Sequence, residues 1–158
     1  MALLLSLETS SQSCSAALHD DGVLVASKVI ETPRSAASQL AVMIDDIFQV
    51  SNRKPQELKG VIVAAGPGSY TGLRIGVSTA KGLCFALDIP LISVDTLQVL
   101  ASQLTITEGV IIPMIDARRM EVYSAIYNSN YEKTREVQAQ ILTENSFLEI
   151  AETIHFVG

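Results

Sequence analysis

Apolar and polar segments alternate regularly along the first hundred residues of the chain. Continuous apolar runs, which are typical of buried strands, predict strands at residues 2–7, 14–18, 23–30, 60–65 and 91–94. Apolar residues that recur every three or four positions predict helices that follow Ser35 and run to about residue 50, then over residues 71–87 and 96–104. A polar turn, HDDG, joins the second and third strands as a hairpin. This order of strands and helices predicts an α/β fold.

The pattern of the first two strands recurs later in the chain. LLLSLETSSQSCSAAL (residues 3–18) and IIPMIDARRMEVYSAI (residues 111–126) each hold an apolar strand, a carboxylate, a polar turn and a strand with small residues. Glu8 and Asp116 occupy the same place in the two segments. We interpret this as an internal duplication. It predicts a first lobe over residues 1–104 and the beginning of a second, incomplete lobe over residues 105–158, a layout that resembles the actin-like, ribonuclease H-like superfamily.

A glycine-rich segment, AAGPGSYTGLRIG (residues 64–76), connects the fourth strand to the second helix. Glycines before a helix can let backbone N–H groups bind a phosphate. However, the lysine of a P-loop and the third glycine of the dinucleotide fingerprint are both missing. The pattern favours a strand-to-helix turn in which Ser69 or Thr71 caps the helix. An anion site beside Arg74 is the alternative.

Four segments carry a resemblance to a known family. GPGSYTGLRIG, LETSSQSCSAALHDDG before it, and KGLCFALDIPLISVDTL and IDARRMEVYSAIY after it closely resemble the TsaB (YeaZ) family, in the family's order and over nearly the whole chain. The resemblance implies an actin-like two-lobed fold. It also implies a non-catalytic subunit of the bacterial complex that makes N6-threonylcarbamoyladenosine in tRNAs reading ANN codons. The implied partners are the catalytic paralogue TsaD, the ATPase TsaE or a second copy, with tRNA bound only through the complex.

Few residues of this chain are suited to catalysis. Its two histidines, His19 and His155, are far apart in sequence, so we expect no metal site and no peptidase activity despite the family's glycoprotease-like label. Actin-like ATPases open with an Asp-x-Gly turn, and the corresponding turn here lacks the glycine that lets a backbone approach a phosphate. We therefore expect no catalytic residue and no cofactor. A degenerate small-molecule kinase or ATPase is the alternative function.

The sequence still permits a vestigial nucleotide or anion loop. Its predicted members are Glu8, Thr9, Ser10, Gly68 and Arg74.

Two helices of the first lobe carry wider apolar surfaces than one core contact requires. On the second helix, the side opposite the predicted sheet-facing residues holds small and apolar residues where a polar face is usual. The resemblance implies that relatives pair through first-lobe helices. The predicted interface consists of Leu40, Met43, Ile44, Ile47, Ile75, Thr79, Gly82 and Ala86. The alternative is that the two helices pack only on each other and on the sheet.

Composition limits the remaining possibilities. The 158 residues carry a formal net charge of −6 and no basic run, so we expect weak, salt-sensitive binding of tRNA by the chain alone. Cys14 and Cys84 lie in no metal-type spacing and predict reduced thiols. No apolar stretch approaches the roughly 20 residues that span a bilayer, and the N-terminus lacks a basic region typical of a signal peptide. We expect a cytoplasmic protein without membrane contact.

Overall fold

A computed structural model describes residues 2–31 and 36–158 of the chain, with side chains in the second stretch from residue 38 onward. The chain divides into two compact units, Met1–Val94 and Asp95–Gly158. The boundary therefore follows residue 94, whereas the sequence predicted residue 104. The reason is helix α3 (Thr96–Ala101), which packs on two strands of the second unit, β6 (Val110–Arg118) and β7 (Glu121–Asn128).

The first unit contains a five-stranded sheet with the strand order β3-β2-β1-β4-β5. Its strands are β1 (Leu3–Glu8), β2 (Cys14–Asp20), β3 (Val23–Ile30), β4 (Leu58–Ala64) and β5 (Leu91–Val94). The first three strands pair antiparallel, and β4 and β5 continue the sheet in parallel with β1. The turn between β2 and β3 is Asp21–Gly22, with φ angles of 49° and 82°. Asp-Gly is a favoured pair for such a left-handed hairpin turn.

Two helices, α1 (Ala36–Ser51) and α2 (Tyr70–Leu87), pack together against this sheet. Alternate residues of β1, β2 and β4 point into the same core as the buried sides of both helices. The predicted beginning of α1 at Ser35 lies outside the described residues. The cap of α2 is Ser69, one of the two residues that the sequence offered, and its Oγ accepts a hydrogen bond from the backbone N–H of Gly72 at 3.3 Å.

The second unit contains a four-stranded sheet with the order β8-β7-β6-β9, where β8 is Lys133–Ile141 and β9 is Ile154–Val157. Strands β6, β7 and β8 pair antiparallel, and β9 lies parallel to β6. This is the arrangement of β3-β2-β1-β4 in the first unit, which supports the internal duplication. Asp95 caps α3 by accepting a hydrogen bond from the Leu97 N–H at 2.8 Å. In residues 2–31 and 36–158, no helix is long and apolar enough to cross a membrane.

Candidate functional site

The turn after β1 contacts the glycine-rich loop and the beginning of α2. Thr9 and Ser10 are buried, at 1% and 3% exposure, although both are polar. The Thr9 hydroxyl donates to the carbonyl of Gly72 at 2.8 Å, and the Ser69 N–H donates to the carbonyl of Ser10 at 2.6 Å. At Gly68, where φ is 153°, a Cβ atom would lie 2.5 Å from the Ser10 carbonyl oxygen. The turn therefore packs directly on the loop.

Three N–H groups at the beginning of α2 are already hydrogen-bonded within the chain. The N-terminus of a helix binds anions through its free N–H groups. Here the Ser69 N–H is bonded to Ser10, and the N–H groups of Gly72 and Leu73 are bonded to the Ser69 Oγ and carbonyl. A Cβ atom at Gly72 would lie 1.9 Å from the Thr9 carbonyl oxygen, so backbone meets backbone at this point. These contacts support the strand-to-helix interpretation of the loop.

Glu8 and Asp116, which the duplication places in equivalent positions, make equivalent hydrogen bonds. One Glu8 carboxylate oxygen accepts from the Ser10 N–H at 2.5 Å, and one Asp116 oxygen accepts from the Arg118 N–H at 2.7 Å. Each carboxylate thus closes its own turn two residues along the chain.

Arg74 does not join the turn residues. Its side chain lies along the exposed side of α2, where the guanidinium donates to the Tyr70 hydroxyl at 3.3 Å and lies 5.4 Å from the centre of that ring. Glu8, Thr9, Ser10 and Gly68 lie close together, whereas the interactions of Arg74 are with its own helix.

Both cysteines are packing residues of the first unit. Burial raises the pKa of the Cys14 thiol, and the Glu8 carboxylate raises it further. Burial also raises the pKa of Cys84, whose thiol donates to the Pro90 carbonyl at 3.4 Å. A thiol whose pKa is raised stays protonated at neutral pH and is a poor nucleophile.

The structure corrects the α1 half of the predicted interface. Leu40, Met43, Ile44 and Ile47 are 8% exposed or less and belong to the core that α1 forms with the sheet and α2. Their wide apolar arc is explained by the several elements that cover it, since α1 packs on β2, β3 and α2 together. These four side chains are already buried within the chain.

The α2 half of the predicted interface divides along the helix. Ile75 is half-buried and packs against the same core, and Thr79 is half-buried as well. Gly82 and Ala86 are exposed, and a Cβ atom at Gly82 would have no neighbour within 4 Å. These two residues remain available to a partner.

The sequence interpretation did not identify the large exposed apolar residues on α1 and α2. Phe85 is 91% exposed, Val50 is 83% exposed and Val42 is 52% exposed. A signal for Phe85 was present, because it follows Gly82 by three positions and so lies on the same side of α2. The exposed side of α2, defined here as Arg74, Ser78, Lys81, Gly82, Phe85 and Ala86, thus has small residues and one large aromatic ring beside its two cations.

Comparison with known proteins identifies close relatives. The model of the family described as "TsaD: tRNA N6-adenosine threonylcarbamoyltransferase" matches residues 30–157. The tRNA threonylcarbamoyladenosine biosynthesis protein TsaB of Bacillus subtilis is 35% identical over 124 residues, which are 78% of this chain and 54% of that protein. The TsaB of Escherichia coli is 34% identical over 126 residues, with the same two coverages of 78% and 54%. The chain spans about half the length of these curated relatives, and the resemblance to TsaB proteins is confirmed.

Solved structures agree with the predicted fold. YeaZ from Pseudomonas aeruginosa matches with a TM-score of 0.84 and 28% identity over 99% of this chain and 76% of its own. The activator of a 2-hydroxyisocaproyl-CoA dehydratase from Clostridium difficile, solved with bound ADPNP, matches with a TM-score of 0.52 and 15% identity over 89% of this chain and 45% of its own. That second likeness concerns the fold alone. The predicted actin-like α/β fold is confirmed.

Proposed function

Because the chain belongs to the family of the TsaD-type tRNA N6-adenosine threonylcarbamoyltransferases, we propose that it is a non-catalytic member of the complex that makes threonylcarbamoyladenosine in tRNA. In this proposal it pairs with the catalytic transferase subunit through the exposed side of α2, with a second copy of the chain as the competing partner. An ATPase subunit of the TsaE type acts on the paired subunits, and tRNA binds to the complex in the cytoplasm.

The exposed side of α2 is the observation that carries the proposal. A surface helix normally turns a polar face to solvent. Here Phe85 is 91% exposed and lies one helical turn after Gly82, where a Cβ atom would have open space around it. Glycine inside a helix costs about 1 kcal/mol relative to alanine, and among the described residues none lies within 4 Å of a Cβ atom at Gly82 that would explain it. A partner helix that approaches closely at Gly82 and covers Phe85 would account for both residues.

The contacts of the β1 turn support the non-catalytic part of the proposal. An actin-like ATPase needs open backbone at this turn so that phosphates can approach. In this chain Ser10 and Thr9 fill that space with their own carbonyl groups, which contact Ser69 and Gly72. The packing of the β1 turn is therefore suited to fix the position of α2 and is not suited to bind a phosphate.

The proposal predicts that the purified chain does not hydrolyse ATP. Phosphate release should equal that of a protein-free blank, because the N–H groups of Ser69, Gly72 and Leu73 are hydrogen-bonded within the chain and the β1 turn has no glycine. The measurement is a coupled phosphate assay with the wild-type chain and with Glu8→Ala. ATP turnover that disappears in Glu8→Ala would establish the alternative function, a small ATPase or kinase.

The partner assignment is tested by co-purification. The tagged chain should recover the transferase subunit from its host, and the purified pair should modify tRNA when the ATPase subunit is added. Recovery of the tagged chain without the transferase subunit would contradict the proposed pairing.

Arg74→Ala separates a structural loop from an anion site. Because the Arg74 side chain contacts Tyr70 on an exposed surface, we expect the free energy of unfolding to change by less than about 0.5 kcal/mol. We also expect the rate of tRNA modification by the complex to decrease only as far as the affinity of the chain for the transferase subunit decreases. The measurements are urea unfolding, pairing affinity and modification rate. Loss of modification with normal folding and pairing would show that Arg74 binds a ligand.

A further inference from the structure

The β6–β7 hairpin has an unusual turn. Its three tip residues, Arg118, Arg119 and Met120, all have positive φ angles, of 70°, 56° and 66°. The β2–β3 hairpin makes its left-handed turn with Asp21–Gly22, a pair that favours it. Arginine and methionine have a Cβ atom and long side chains and seldom adopt this conformation. Turn formation therefore does not explain why these residues occupy the tip.

Hydrogen bonds hold the tip backbone in place. The Asp116 carboxylate accepts from the Arg118 N–H at 2.7 Å, and the Leu142 N–H donates to the Met120 carbonyl at 3.4 Å. All three tip side chains are exposed, and Met120 is 78% exposed. The hairpin thus presents two adjacent guanidinium groups from a fixed backbone.

Neither guanidinium has a partner among residues 2–31 and 36–158. By contrast, Arg53 pairs with Asp20 at 2.7 Å, Arg135 lies 3.7 Å from Glu149, and Arg74 stacks on Tyr70. Lys54, Lys59 and Lys81 also make no ion pair among the described residues, so what distinguishes Arg118 and Arg119 is that two unpaired guanidinium groups are adjacent at one hairpin tip.

The duplicated turns have diverged between the two units. In the first unit the carboxylate of Glu8 closes a turn whose residues Thr9 and Ser10 are buried against α2. In the second unit the carboxylate of Asp116 closes a turn in which Ala117 and Arg118 stand where the first unit has Thr9 and Ser10, and the Arg118 side chain is exposed. The shared carboxylate hydrogen bond thus closes a buried turn in the first unit and an exposed turn of positive φ and positive charge in the second.

We propose that Arg118 and Arg119 form a contact for the phosphodiester backbone of RNA, an inference that rests on the tRNA-modifying complex proposed above. A guanidinium donates two parallel hydrogen bonds to phosphate oxygens, and such contacts position a protein on nucleic acid without reading its sequence. The tip carries no group suited to read a base edge beyond the arginines themselves. The contact serves to orient the tRNA.

The test uses the complex of the full chain with the transferase subunit and an unmodified tRNA that the complex modifies. Binding is measured by fluorescence anisotropy across a range of salt concentrations. The double variant Arg118→Ala/Arg119→Ala is compared with Lys54→Ala/Lys59→Ala, which removes the same charge from two exposed lysines of the first unit. Arg118→Lys/Arg119→Lys keeps the charge and removes the paired donors.

Loss of two phosphate contacts should reduce the slope of log K against log salt by about 1.4 to 1.8. It should also weaken binding at low salt roughly tenfold. The lysine control should keep the wild-type slope. The Arg-to-Lys variant should keep the slope and lose part of the affinity, because lysine binds phosphate as a point charge. Equal slopes for the arginine and lysine double variants would overturn the proposal.

Pairing with the transferase, measured on the same samples, separates the two proposals. If the arginine variant folds but loses pairing, while RNA binding by the chain alone in 20 mM salt is unchanged, the tip contacts protein and the RNA assignment is wrong. If the wild-type chain itself does not pair, the proposed function fails. The comparison of slopes is then made with the chain alone and RNA at low salt, where the same difference between variants is expected and its absence overturns the RNA contact.

Discussion

Gly82→Arg should abolish pairing with the transferase subunit, or with a second copy, while the chain stays folded. Gly82 is exposed, and a Cβ atom there meets no described residue within 4 Å, so we expect an arginine to extend into solvent. Helix propensity improves by nearly 1 kcal/mol, because arginine is a far better helix former than glycine. In an interface, the same side chain would separate two closely packed backbones and bury an unpaired charge, which costs several kcal/mol. A loss of about 4 kcal/mol weakens pairing nearly a thousandfold.

Gly82→Ala is the matched control for this variant. It should keep pairing close to wild type and raise the free energy of unfolding by up to about 1 kcal/mol. Pairing is measured by analytical ultracentrifugation with the transferase subunit, and stability by urea unfolding of each variant alone. Normal pairing of Gly82→Arg would place the interface on another surface. Unfolding of Gly82→Arg by itself would mean that this side of α2 belongs to the core.

Gly72→Ala should be strongly destabilising. The added methyl group would lie 1.9 Å from the carbonyl oxygen of Thr9, which is a backbone atom and cannot move by a rotamer change. Overpacking typically costs 1–3 kcal/mol. Because the neighbouring atom belongs to the backbone, we expect Gly72→Ala to lower the free energy of unfolding by about 3 kcal/mol or more, at or above the upper end of that range. For a unit of this size that loss lowers the melting temperature by roughly 12 °C or more.

Gly76→Ala provides a second, separable clash with the same residue. Its methyl group would lie 2.2 Å from the Thr9 Oγ1 atom, which Thr9→Ala removes. The double variant Thr9→Ala/Gly76→Ala should therefore be more stable than the sum of the single changes predicts. Thr9→Ala does not remove the backbone carbonyl, so it should not rescue Gly72→Ala. Gly72→Ala with wild-type stability would disprove the close packing of the β1 turn on α2.

The strands and helices of the first unit could be predicted because their apolar patterns are long and their ends carry specific residues. β3, β5 and the cap at Ser69, one of the two candidates, agree with the sequence interpretation. The role of the apolar arc on α1 could not be predicted in the same way. Periodicity shows which side of a helix is apolar, but whether a sheet, a second helix or a partner covers that side depends on the fold.

The glycines of α2 also show that the surroundings of a single residue cannot be predicted from the sequence pattern. Gly76 and Gly82 look alike in sequence, since neither has a side chain to indicate its surroundings. In the structure Gly76 packs against Thr9, whereas Gly82 is open. Close packing accounts for Gly76 within the chain, and the reason for Gly82 is the partner proposed above.

The conformation of the β6–β7 hairpin tip could not be predicted, because arginine and methionine seldom adopt positive φ angles. DARRME offers no turn signal comparable to the Asp-Gly of the first unit. Only the backbone shows that Arg119 and Met120 are held at positive φ. Positions where local preference and structure disagree are often functional, and this disagreement led to the RNA contact.

The strand order of the first sheet has a consequence for synthesis of the chain. The pairings of β1 with β2 and of β2 with β3 are local, whereas the parallel pairing of β1 with β4 must wait for residues 58–64. At roughly 5–20 residues per second, the ribosome needs about 2 to 7 s to extend the chain from residue 30 to residue 64. During that interval the apolar strand β1 has one unpaired edge. Any other strand that reaches this edge first competes with β4 for its native place.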